Sequence, residues 1–177
     1  MPLRIARQED LSRILEIKEA VLLYMHKNGN MQWDESYPNE SVFLKDIEEE
    51  TLYLYERDDK IIAFIVVDDN HPFPYDDIPW ELPMENAAAM HRFAVDPEYF
   101  GKGIARIMME AIEELLIEDG YQGIHTDTSL ENTHMQTQFT KNDFEYKGHL
   151  NLDENTDEWY VAYEKVFEQE DIETEEA

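Results

Sequence analysis

The chain reads as an α/β protein: a mixed β-sheet of about six to seven strands flanked by about four helices. Three observations predict this. Ala89–Val95, Gly103–Glu118 and Gly123–Thr128 form a strand–helix–strand unit, which argues for a parallel pair with a right-handed crossover. β-rich runs on either side, Thr51–Glu56 with Lys60–Val67 and Phe144–Leu152 with Trp159–Phe167, add antiparallel partners. The 177 residues are 42% hydrophobic, enough for one domain with a substantial core.

In chain order, Leu3–Ala6 is a short strand. Asp10 is placed to cap the helix that follows, on which Leu11, Ile14, Leu15, Val21, Leu22 and Met25 share a face. Asn28-Gly29 stops that helix. Residues 32–38 form a loop with two aromatics. Asn39 or Ser41 caps a second helix to about Glu49. Arg57-Asp58-Asp59 joins two strands as a hairpin. Residues 68–86, with Pro72, Pro74, Pro79 and Pro83, make a long loop of the kind that often carries function. Ile104, Ile107, Met108, Ala111, Ile112, Leu115 and Leu116 recur at helical spacing, ended by Asp119-Gly120. Asn132–Lys141 is a short helix. We expect a single domain over 1–167 and an acidic, disordered tail over 168–177.

There are 42 acidic and 14 basic residues, a net charge of −28. Such a surface repels nucleic acid and anionic membrane and attracts cationic acceptors such as amines; a merely solvated acidic surface reads the same way. Without cysteine, neither disulfides nor thiolate metal sites are available. His26, His71, His125, His134 and His149 show no metal spacing, so no metal is expected. The N-terminus resembles neither a signal peptide nor a membrane span, which gives a cytoplasmic expectation.

The most informative stretch is Val95–Ala105. An apolar strand stops at Asp96-Pro97, two glycines follow one residue apart, and a helix begins. A helix N-terminus offers unpaired N–H groups and a positive dipole end to an anion, and glycines let the backbone come close. A Walker A loop fails because Gly103 is followed by Ile104 rather than Lys-Ser. A dinucleotide fingerprint fails for want of its third glycine.

Residues 90–144 resemble the GNAT superfamily of acetyl-CoA-dependent acyltransferases. The family's Arg/Gln-x-x-Gly-x-Gly/Ala signature aligns with Phe100-Gly101-Lys102-Gly103-Ile104-Ala105. Val95-Asp96-Pro97-Glu98-Tyr99, Asn132, Met135 and Phe144 extend the likeness. The resemblance implies a GNAT-like fold and acetyl-CoA as acyl donor. It implies pyrophosphate binding by the amides of Gly101 to Arg106, with Lys102 and Arg106 adding positive charge. Phe93, Ala94 and Val95 would lie along the pantetheine arm, a backbone N–H polarising the thioester carbonyl. Asn132 would be a further contact, or simply a helix cap.

The resemblance also implies N-acetylation of a primary amine on a small molecule or peptide; the alternative is a weak or inactive acyl-CoA-binding regulatory module. A homodimer is compatible with either. Phe100 replaces the family's Arg or Gln, Phe139 stands where many members carry a thiolate-protonating tyrosine, and Asp143 replaces a common glycine. Asp127 and His91 are the candidate bases, since an imidazole titrates in the right range. Glu81 and Glu85 are alternatives acting through water. Gln32, Trp33, Asp34, Glu35 and Tyr37 fall where related folds bind the acceptor, and aromatics beside carboxylates suit an ammonium group.

Overall fold

The computed structural model describes residues 2–152 and 158–168. Most of the expected acidic tail, residues 169–177, lies outside them. The elements are β1 (Leu3–Ile5), α1 (Leu11–Lys27), α2 (Glu40–Glu48), β2 (Leu52–Arg57), β3 (Lys60–Asp68), β4 (Ala87–Val95), α3 (Ile104–Glu118), β5 (Gly123–Ser129), α4 (Thr133–Lys141), β6 (Glu145–Leu150) and β7 (Tyr160–Val166). Seven strands form one sheet in the order β1-β2-β3-β4-β5-β7-β6. Among the described residues only the β4–β5 pair is parallel, and α3 crosses between those strands.

Both faces of the sheet are covered, which explains the near-continuous apolar run of β3. Phe64 and Val66 pack beneath α1 and α2 with Ile14, Ile17 and Phe43. Ile65 and Val67 pack on the other face against α3, with Met108, Ile112 and Leu116. Val161, Tyr163 and Ile124 also belong to the α3 face. By strand alternation, Ala162, Glu164, His125 and Asp127 therefore point to the face that α1 and α2 cover further along. There the loop between β3 and β4 covers them, with two short 3-10 turns at Phe73–Asp77 and Met84–Asn86. Its Tyr75 and Ile78 pack on Leu150 and Ala162.

Asn39 caps α2, its side chain accepting from the Val42 N–H. The expected Asp10 cap takes another form. The Asp10 carboxylate accepts from the Arg4 guanidinium at 2.8 and 2.9 Å and from the Arg7 N–H at 2.8 Å. A nearby guanidinium offers a carboxylate more than a cap bond does, so the side chain turns back toward β1.

Candidate active site

The site begins with one extra residue in β4. Phe64 pairs with Ala94 and Val66 with His91, so three residues of β3 face four of β4, a β-bulge. Arg92 carries the bulge at φ +43, in the left-handed region. Its guanidinium donates from Nε and Nη2 to Asp46 on α2 at 2.7 and 2.6 Å, and from Nη1 to the Tyr37 hydroxyl at 3.0 Å.

The bulge turns β4 away from β5. Their pairing runs from Ala87–Gly123 only to Met90–Thr126, although both strands continue. Between the parted ends lies a cleft of about 300 Å³. The Asp96 N–H donates to the Ile62 carbonyl of β3 at 2.8 Å. Because successive amides of a strand point to opposite edges, those of Phe93 and Val95 face the cleft instead. No β5 residue is registered with them. Phe93, Ala94 and Val95 all line the cleft.

At the end of β4 the chain enters the glycine loop. Gly101 and Gly103 both adopt φ +75, and a Cβ at either would meet no protein atom within 4 Å. The glycines are thus required by conformation, and the space above them is open. Gly103 is the N-cap of α3 and supplies no capping side chain. The amides of Ile104, Ala105 and Arg106 are left without intrahelical partners at the positive end of the helix dipole.

The side chains of Lys102 and Arg106 turn elsewhere. The Lys102 ammonium sits 4.9 Å from the centroid of the Tyr99 ring. Arg106 pairs with Glu110 at 2.7 Å, one helical turn on. Neither lines the cleft, so at the glycine-loop end of it the positive character comes from backbone amides. The Phe100 ring lines the cleft, edge-on to Tyr24 of α1 at 4.9 Å and stacked on His134 of α4 at 5.4 Å.

On the far wall, Asn132 caps α4: its Oδ1 accepts from the Met135 N–H at 3.1 Å. The amide oxygen of Gln32 accepts from the Thr128 hydroxyl at 3.1 Å and the Ser129 N–H at 3.2 Å. It thereby ties the loop after α1 to the end of β5. Trp33 is buried and stacked on Phe64, yet borders the cleft. Glu35 and Tyr37 do not line it, although Tyr37 reaches it indirectly through Arg92. Phe139 lines the cleft without a hydroxyl and packs on Phe144 and Tyr163.

The two candidate bases both border the cleft, on adjacent strands. His91 Nε2 lies 2.9 Å from Asp68 Oδ1. Burial raises the Asp68 carboxyl, but the His91 contact and the Asn70 N–H outweigh it and hold the group below the usual aspartate range. An ionised Asp68 fixes the ring proton on Nε2 and leaves Nδ1 as the basic nitrogen. Asp127 accepts from the Tyr75 hydroxyl. Burial pushes its carboxyl upward, against the opposing effects of Tyr75 and His91. Glu81 and Glu85 do not line the cleft; the Glu81 N–H instead donates to Glu164 at 2.9 Å.

Sequence reasoning missed Arg92, Asp46, Asp68 and Tyr75. For Arg92 a signal existed: a full cation inside the mostly apolar strand 87–95 demands a buried partner. No group of three His, Cys, Asp or Glu side chains suited to a metal occurs among the described residues. No helix among them is long and apolar enough to cross a membrane.

The sequence model of the Acetyltransferase (GNAT) family matches residues 6–144. An acetyltransferase of the GNAT family from Streptococcus agalactiae 2603 superposes with a TM-score of 0.82 at 25% identity, over 94% of this chain and 95% of that one. A candidate acetyltransferase from Staphylococcus aureus Mu50 is 30% identical with a TM-score of 0.71, over 93% and 97%. A third, from Salmonella typhimurium and solved with its cofactor acetyl-CoA, shares the fold at 12% identity, with a TM-score of 0.69 over 95% and 94%. No curated protein matches the sequence.

Proposed function

The chain belongs to the acetyltransferase (GNAT) family, and on that premise we propose that it moves an acetyl group from acetyl-CoA directly to a primary amine. The observation that carries this reading is the parted β4–β5 pair, whose open strand edge runs into the uncapped N-terminus of α3. The residues present fit the donor. The amides from Gly101 to Arg106 suit a pyrophosphate, and the cleft-facing amides of Phe93 and Val95 suit an extended amide-bearing arm, which would pair as an added strand.

In this reading one of those strand amides donates to the thioester carbonyl oxygen and stabilises the charge that develops there. His91 takes the proton that the amine must lose to become nucleophilic, with Asp68 holding the ring. Asp127, beside it, offers negative charge to the incoming ammonium. The amine nitrogen bonds to the carbonyl carbon, the carbon–sulfur bond breaks, and the thiolate leaves. Phe139 has no proton to give, so the thiolate is protonated by the His91 imidazolium or by solvent. The chain has no cysteine, so no cysteine acyl-enzyme lies on the path.

Calorimetry with acetyl-CoA, followed by thiol release across a panel of amines, tests the proposal. Binding with turnover on at least one amine is expected. His91→Ala should lower kcat by about 10²–10⁴-fold with donor binding intact. Binding without turnover on any amine would turn the assignment toward an acyl-CoA-binding regulatory module. No binding of any acyl-CoA would end both.

A further inference from the structure

The loop between β3 and β4, residues 69–86, has no part in the chemistry above, yet it is fastened to the sheet through a carboxylate with no side-chain exposure. Glu164 of β7, with no side-chain exposure, accepts the Glu81 and Leu82 N–H groups at 2.9 and 3.0 Å. The same carboxylate meets His125 Nε2 at 2.7 Å and the Lys147 ammonium at 3.4 Å. Trp80 of the loop lies flat on the His125 ring, centroids 3.9 Å apart, and its indole N–H donates to the Tyr75 carbonyl at 2.9 Å. The contacts of Trp80, Glu81 and Leu82 fix the loop on the C-terminal side of Tyr75. Tyr75 itself is fully buried, and its hydroxyl donates to Asp127 Oδ2.

We propose that Tyr75 is a positioning residue, supplied by this loop to hold the Asp127 carboxylate in the cleft beside His91, with Glu164 as the anchor of the loop. The proposal rests on the reading that Asp127 acts in the cleft. An aspartate side chain has two rotatable bonds, and a single buried donor at Oδ2 selects one orientation. Burial and the Asp127 charge keep the Tyr75 hydroxyl protonated far above its usual range, so it serves as a donor throughout. The other groups on this side are His91 of β4 with Asp68 of β3 behind it, His71 of the loop, and the His125–Glu164 pair with Lys147. Among the described residues, the Tyr75 hydroxyl is the hydrogen-bond partner of the Asp127 carboxylate.

Tyr75→Phe keeps the ring and removes the donor. Loss of a hydrogen bond to the charged form raises the Asp127 pKa, so the fall in kcat/KM that accompanies Asp127 protonation should begin about one pH unit higher. The carbon-13 carboxyl titration of Asp127 should rise by a similar amount in the same variant, with the unfolding midpoint checked alongside. Glu164→Gln, which loosens the anchor while leaving Tyr75 in place, should move the titration in the same direction by less. An Asp127 titration identical in the wild type and Tyr75→Phe would overturn the positioning role. If Asp127→Asn leaves the rate profile unchanged, the cleft role of Asp127 fails instead, and the carboxyl titration still decides what Tyr75 does.

Discussion

Arg92, on the bulge of β4, and Asp46, on α2, are joined by two parallel bonds of 2.7 and 2.6 Å, so a helix outside the cleft locks the backbone that opens it. The guanidinium and carboxylate are both largely buried. The left-handed φ of Arg92 is unfavourable by itself and persists because the pair over-determines it.

Asp46→Ala leaves that guanidinium buried without its partner. Breaking a buried pair from one side costs about 3–5 kcal/mol. We expect a loss of that order in urea unfolding, together with weaker acetyl-CoA binding as the bulge relaxes. A variant with the wild-type midpoint and affinity would show that the bulge is set by the strand alone.

Gly103→Ala separates conformation from contact. A side chain at φ +75 costs roughly 1–2 kcal/mol. Since the new methyl group meets no protein atom, stability should fall by no more than that, while donor affinity falls further because the methyl occupies the approach to the α3 amides. Parallel unfolding and calorimetry would check this; equal losses in both would mean that the open space is not where the anion sits.

Glu164 makes stability depend on acid. Burial alone would raise its pKa, but His125 and the Leu82 and Glu81 amides bring it down to about 2. An unfolded glutamate protonates at its ordinary, higher value. The stabilisation is therefore complete above the usual glutamate range and is lost as the pH falls toward about 2. It is worth at most ~3 kcal/mol. Unfolding measured from pH 6 to pH 3 should show a slope that Glu164→Gln reduces; parallel curves for the two proteins would contradict the assignment.

Much of this architecture was legible in the residues, because it rests on local chemistry. β4 falls at Ala87–Val95 as its apolar run predicts, and α3 ends at Glu118 before Asp119-Gly120. The glycine loop announced itself by two glycines that the observed φ of +75 requires. What stayed hidden depends on partners far apart in sequence. Asp46 reaches Arg92 across 46 residues and Tyr75 reaches Asp127 across 52, and no local pattern marks either. The long loop was visible as a loop, but its anchoring on Glu164 was not. Lys102 and Arg106 show a further limit: sequence places a charge on the chain, while its rotamer decides whether that charge reaches the cleft.

The directions of Lys102 and Arg106 bear on how an anionic donor arrives. With those cations engaged by Tyr99 and Glu110, the α3 amides act only at short range, whereas the net charge of −28 acts at a distance. A polyanion then diffuses against a repulsive field before it meets an attractive end. Added salt should screen the repulsion more than the amide contacts and so quicken association, the reverse of the trend at a lysine-lined phosphate site. Stopped-flow binding of acetyl-CoA between about 20 and 300 mM salt would show a rising on-rate; a falling one would mean that the cations swing inward when the donor approaches.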